Sequence, residues 1–239
     1  MSQISCKQQQ FNAAMQRYTG LKRYQVFNTL VAVANLFLQC YLLFHAWRYS
    51  IGAVWQILAI LVAFLVTDFI NGLVHMFMDN NDRYESLAGP LIANFHLHHK
   101  TPQYKKRNLL AVYFIETGSK VWLVGYLAVA CLSAVFFRLP PLALFVLAYV
   151  GILSSVAEVS HYLCHSSTST VSRLLGTSGI LLSKQHHARH HLQDNTSYAF
   201  LNGVTDPLLN LIAARIYKGY KQTTDLHYVT YTATETAAR

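Results

Sequence analysis

Charge is scarce in this chain. Only 12% of its 239 residues are Asp, Glu, Lys or Arg, and ten of them are acidic, against 53% apolar residues. That balance excludes an ordinary soluble domain and fits an integral membrane one. Cysteine is sparse too. Cys6, Cys40, Cys131 and Cys164 are far apart and form no CxxC pair, so neither a disulfide framework nor a cysteine-based zinc site is indicated. The last three lie in or beside apolar runs and read as small buried hydrophobes. No Rossmann or P-loop fingerprint occurs, so this chain brings in neither electrons nor phosphates through a domain of its own. The opening stretch MSQISCKQQQFNAAMQRY is polar and lacks the short apolar core of a secretory leader. The basic excess, +9 with histidine neutral, is scattered between apolar runs instead of forming one stripe. Nucleic acid is therefore not expected as a partner.

Long apolar runs are what the chain does have. Four are long enough to span a bilayer, which takes about 20 apolar residues: roughly 26–47, 52–78, 118–137 and 141–165. The hairpins joining the first to the second and the third to the fourth are very short, with Arg48 and Arg138 as their only full charges. The opposite side is basic. It carries Lys7, Arg17, Lys22 and Arg23 before the first run, and Lys100, Lys105, Lys106, Arg107 and Lys120 between the second and third. Arg173, Lys184, Arg189, Arg215 and Lys218 follow the fourth. The positive-inside rule then places both termini in the cytoplasm. Residues 171–183 and 206–217 are shorter amphipathic stretches expected to lie in the interface, Pro207 suiting a first helical turn. The tail TYTATETAAR reads as disordered. The expected fold is an all-α integral membrane protein with four transmembrane helices, a cytoplasmic histidine-rich metal site and interfacial helices.

Ten of the twelve histidines fall in three groups on that basic side: His75 with His96, His98 and His99; His161 and His165; and His186, His187, His190 and His191. Imidazole is costly in apolar surroundings unless its nitrogens find partners. Three groups converging on one rim find their simplest common partner in a metal ion. Residues three or four apart share a helix face, which pairs His75 with Asp79, His161 with His165, and His187 with His190 or His191. His98 and His99 are adjacent, so one helix should not aim both at one point; they suit a helix end or loop wrapping a metal, or two metals side by side. Zinc sites close with four ligands, and eight or more imidazoles imply two ions. Asp68 and Asp79 are candidate carboxylates orienting His75 or a metal-bound water, since a carboxylate within a span usually faces a polar site. His45 and His227 stand alone and read as ordinary surface residues. The basic run Lys100 to Arg107 suits a phosphate headgroup or an acidic electron donor as well as it suits topology. Histidine pairs on spans also ligate haem, so a haem-binding membrane electron-transfer protein is the reading from a different class.

The ordered run GLVHMFMD, FHLHHKTP, HYLCH, QHHARHH and NTSYAFLNGVTDPLLN, over roughly Asp68 to Asn210, resembles the Kua family of lipid desaturases. That family includes animal and bacterial plasmanylethanolamine desaturases and the plant plastid desaturase acting on phosphatidylglycerol. The resemblance implies one desaturase domain over residues 1–239, with a cytoplasmic segment 166–239. It implies two irons held by His75, His98, His99, His161, His165, His187, His190 and His191. His96 and His186 are secondary candidates at positions that vary across the family. It implies O2 as oxidant, an external electron donor such as cytochrome b5 or a ferredoxin-type protein, and a membrane phospholipid as substrate. The expected reaction is vinyl ether formation from plasmanylethanolamine, with desaturation of a phosphatidylglycerol acyl chain as the alternative. The membrane is a bacterial inner membrane or the endoplasmic reticulum.

Overall fold

The structure is a computed structural model, and it describes residues 3–100, 108–116, 120–193 and 196–216. Among these residues the secondary structure is entirely helical. A polar helix α1 (Gln3–Gly20) leads into α2 (Lys22–Trp47). A tight turn through Gly52, at φ +75°, starts α3 (Gly52–Asp79). Two short helices follow, α4 (Gly89–Lys100) and α5 (Leu109–Ile115), then α6 (Val121–Phe136) and α7 (Pro141–Ser166). The last described elements are α8 (Thr170–Thr177), α9 (Lys184–Leu192) and α10 (Asp206–Ile216).

Three of these helices, α2, α3 and α7, are long and apolar enough to cross a membrane. They match three of the four expected spans nearly end to end. The run expected at 118–137 forms α6, of only 16 residues. At 1.5 Å per residue that is about 24 Å, short of the roughly 30 Å hydrocarbon layer. The expected start, Gly118, lies outside the described residues, as do Lys105, Lys106, Arg107, Tyr217, Lys218, His227 and the tail. The helix expected at 171–183 closes early as α8. Its last turn is capped by Ser178 N–H to Leu174 O at 2.9 Å, and Gly179 follows at φ +73°, a left-handed conformation that ends helices.

Packing explains where the site sits. The main apolar core lies between α2, α6 and α7, around Leu42, Leu123, Leu127, Leu144 and Phe145. α3 lies along α7, where Asn71 Nδ2 donates to Ser154 Oγ at 3.1 Å and both helices bury small or hydroxyl-bearing residues such as Ala63, Thr67 and Ala157. Small side chains let backbones approach closely where lipid offers no hydrophobic drive. At Gly72 the fit is tight: a Cβ would lie 2.3 Å from the Leu209 side chain on α10. The lower half of α3, by contrast, shows Val54, Ile57 and Leu61 more than half exposed, as a lipid-facing surface does. α3 therefore changes character along its length, and its buried C-terminal part carries Asp68, His75 and Asp79.

A candidate two-metal centre

Four helices bring their histidines to one place: the end of α3, the last turn of α4, the end of α7, and α9. Each is set locally. Pro141 occupies the first turn of α7, where its missing N–H costs nothing. Ser183 caps α9, its Oγ accepting from His186 N–H at 3.1 Å.

Eight imidazoles and one carboxylate form two adjoining donor sets. The first comprises His75, Asp79, His98, His99 and His190, the second His161, His165 and His187, and every one of these residues is buried. His191 joins the second set, its Nε2 lying 2.9 Å from Nε2 of His187. In the same set His187 and His165 approach at 2.8 Å and His165 and His161 at 3.1 Å, again Nε2 to Nε2. In the first set Asp79 Oδ2 is 3.1 Å from Nε2 of both His75 and His190, and Oδ1 is 3.2 Å from Nε2 of His99. Ligands at 2.0–2.1 Å from a common ion stand about 2.9–3.4 Å from one another. The donor spacings, 2.8–3.2 Å, lie at the short end of that range, so each set could close on an ion.

The tautomers point the same way. A backbone carbonyl can only accept, so a ring nitrogen beside one carries the proton. Nδ1–H of His75 donates to Tyr198 O at 2.8 Å, that of His98 to Phe95 O at 2.6 Å, and that of His190 to Thr196 O at 2.9 Å. Each ring is left with a lone pair on Nε2. For His98 that atom is buried with no hydrogen-bond partner among the described residues. For His75 and His190 it faces a carboxylate oxygen, lone pair against lone pair. Such an array is repulsive unless a cation sits among the donors. Protons are poor candidates. The rings of His98, His187 and His191 are held well below the usual imidazole range, first by burial, then by neighbouring imidazoles. The donor set fits metal ions of imidazole preference.

The segment between α9 and α10 holds this arrangement in place. Asp68 Oδ1 accepts from Leu201, Asn202 and Gly203 N–H at 3.2, 2.9 and 3.2 Å. Its Oδ2 accepts from Thr205 N–H at 3.0 Å and the Thr205 hydroxyl at 2.7 Å. Asp206 Oδ1 accepts from Ala199 N–H, and Asn210 Oδ1 from Ser197 N–H. The loop so folded presents the Thr196 and Tyr198 carbonyls and lays Phe200 flat on His161, centroids 4.0 Å apart.

The sequence-predicted residues divide accordingly. All eight principal histidines and Asp79 meet. Asp68 has its hydrogen bonds on the 201–205 loop, so it acts on His75 one step removed. His98 and His99 lie in the last turn of α4, at a helix end as expected, and both join the first set, with ring centroids 4.1 Å apart. Adjacent residues differ by about 100° around a helix, and at the end of α4 the two flexible rings close that angle. His96 lies outside the sets: both its nitrogens are engaged, by the Tyr84 hydroxyl and the Met78 carbonyl at 2.8 Å each. His186 pairs with Asp206 and leans over Gly203, where a Cβ would lie 2.9 Å from its Nε2. His45 sits on α2 between Tyr41 and Tyr49. Sequence reasoning missed the orienting carbonyls and the Phe200 stack. It also missed Glu158, a buried carboxylate in α7, although a carboxylate inside an apolar run is the signal that singled out Asp68.

Residues 64–221 match the family described as lipid desaturase domain. Nothing matches among curated proteins or among solved structures.

Proposed function

The chain belongs to the lipid desaturase domain family, and on that premise we propose that it is a membrane di-iron desaturase that forms a double bond near the glycerol-linked end of a phospholipid chain. The observation that carries this reading is the pair of adjoining buried donor sets, rich in imidazole and holding a single carboxylate. Two irons held there would supply O2-dependent cleavage of C–H bonds.

The chain's own residues do the rest. His75, His98, His99, His190 and Asp79 hold one ion; His161, His165, His187 and His191 hold the other. The Tyr198, Phe95 and Thr196 carbonyls keep the ring nitrogens in the ligating tautomer. Burial keeps bulk water away. Opposed Nε2 atoms about 3 Å apart leave no gap for a porphyrin, which counts against the haem reading. No redox domain is recognisable in the chain, so electrons come from an external donor of the cytochrome b5 or ferredoxin class.

Depth narrows the substrate. The ligands sit at the C-terminal ends of α3 and α7, on the side where Lys and Arg collect. The positive-inside rule makes that side cytoplasmic, together with both termini. A phospholipid anchored at that rim presents its first few carbons, because the hydrocarbon half-thickness is about 15 Å. Vinyl ether formation from plasmanylethanolamine meets that geometry, and the Kua-like motif order favours it over desaturation of phosphatidylglycerol. The test is lipid mass spectrometry after expressing the chain in a host lacking plasmalogens and supplying an alkyl glycerol. Acid-labile vinyl ether lipid is the expected product. A mid-chain double bond as the only product overturns the depth argument, and a new bond in phosphatidylglycerol alone overturns the headgroup.

A further inference from the structure

The end of α7 carries two rows of buried polar side chains, one residue apart. His161 and His165 form one row and belong to the second donor set. Ser160 and Cys164 form the other, each standing one residue before a histidine. Residues four apart share a helix face, so this second row can act on a single target, and it does. Leu182 N–H donates to Ser160 Oγ at 2.8 Å, and Cys164 Sγ donates to Leu182 O at 3.2 Å. Leu182 is buried and immediately precedes Ser183, the cap of α9. The rise and turn of a helix are fixed. Holding the residue before the cap therefore sets where His187 and His191 arrive.

The Ser160 hydroxyl has one proton, and it donates that proton to Leu201 O at 2.7 Å. Leu201 follows Phe200, whose ring lies flat on His161. One fully buried hydroxyl thus holds both the chain that enters α9 and the chain that returns from it. The two flanks are also tied to each other, since Asn202 Nδ2 donates to Gly179 O at 2.9 Å. The end of α8 closes over the entry at Gly176, where a Cβ would lie 3.1 Å from Ser183 Cα and 3.4 Å from Leu182 O.

The two donor sets depend on α9 unequally. That helix supplies His187 and His191, half of the second set, but only His190 to the first, whose other donors stand on α3 and α4. His190 also has an anchor of its own in Thr196 O. A shift of α9 along α7 therefore falls mainly on the second set. We propose that Ser160 and Cys164 are positioning residues for the second ion: their grip on Leu182 sets the register of α9 against α7, so that His187 and His191 meet His161 and His165. The role towards the ion rests on the two-metal reading of the site; the grip on α9 does not.

The grip is tested on the full chain in detergent after chelation, by hydrogen exchange. Ser160→Ala strips a partner from both Leu182 N–H and Leu201 O. Amides of residues 182–192 are expected to exchange about 10-fold faster or more, while those of residues 68–79 on α3 keep the parent's rate. Parent-like exchange over 182–192, or equal acceleration of both segments, overturns the grip. The positioning role is read by titrating Co2+ into the same protein. Ser160→Ala should weaken one of two binding steps by about 10–100-fold, the range for groups that orient ligands, and leave the other as in the parent. Asp79→Asn should weaken that other step. Loss from both steps alike in Ser160→Ala, or from neither, overturns the role. Should Ser160→Ala fail to fold, Cys164→Ala should weaken the same step and speed the same amides, and Cys164→Ser, which keeps a donor for Leu182 O, should restore both. Parent-like behaviour in Cys164→Ala, or no rescue by Cys164→Ser, then overturns the proposal. A parent chain that takes up no second Co2+ defeats the two-metal reading and the role with it, while the exchange result still decides the grip.

Discussion

Asp68 and Thr205 are joined twice: both the backbone N–H and the hydroxyl of Thr205 donate to the same carboxylate oxygen, at 3.0 and 2.7 Å. With the three amides on the other oxygen, the bond set closes the loop whose carbonyls orient His75 and His190. Asp68→Asn should turn an amide NH2 against part of this cradle and loosen metal without removing a ligand. The expected loss in metal affinity is about 10–100-fold, read by chelator competition on purified protein. Unchanged retention would show that the loop holds its shape without the charge.

Alanine at any one of His75, His98, His99, His161, His165, His187, His190 or His191 should abolish desaturation and lower bound metal. Asp79→Asn should act on the first ion specifically, because its oxygens face His75, His99 and His190. Metal analysis of that variant should fall from about two ions per chain towards one. His45→Ala should behave as the parent, whereas His96→Ala should keep metal and lose stability, about 1–3 kcal/mol, since it strips a partner from the Tyr84 hydroxyl and the Met78 carbonyl. Full activity in His161→Ala or His190→Ala would break the assignment.

Acid should destabilise the metal-free protein. Burial holds His98, His187 and His191 well below the imidazole range when folded, while unfolded histidines titrate near 6.5. Below about pH 6.5 the unfolded chain binds more protons than the folded one, so stability falls as pH drops. It goes on falling until the depressed folded values are reached, by up to about 1.4 kcal/mol per pH unit for each such group. Chelated protein in detergent should therefore unfold at lower temperature at pH 5.5 than at 7.5. A midpoint that rises on acidification would contradict this sign.

The short α6 makes a topological prediction. If the segment that includes α6 crosses the bilayer, reporters fused after Arg48 and after Arg138 share one compartment and a reporter after Arg239 reports the other. A reporter after Arg239 that joins the Arg48 side would mean three crossings.

Hydropathy made α2, α3 and α7 legible almost to the residue, because their apolar runs are unbroken and hairpin turns bound them. It did not foresee that α6 begins only at Val121, after Lys120, because Lys120 is buried against residues far off in sequence, which a hydropathy average does not see. Histidine spacing made the donor sets legible, since i, i+4 neighbours share a face. Their division between two ions was not: α9 sends His190 to one set and His187 to the other, a choice made by the angle at which the helix lands. Asp68 was recognised as buried and polar, but its partners lie more than 130 residues on in sequence, and no local pattern names them. The carbonyls of Phe95, Thr196 and Tyr198 belong to the backbone, which every residue shares, so side-chain chemistry could not single them out.

Because α9 contributes to both donor sets, neither is complete until the last quarter of the chain has been made. A ribosome delivers His75 long before His187 and His190, and N-terminal elements fold first. The spans must therefore enter the membrane with their imidazoles still waiting for partners. Metal loading is then a late event in biogenesis. A nascent chain stopped before Lys184 would be inserted, largely helical, and able to complete neither site.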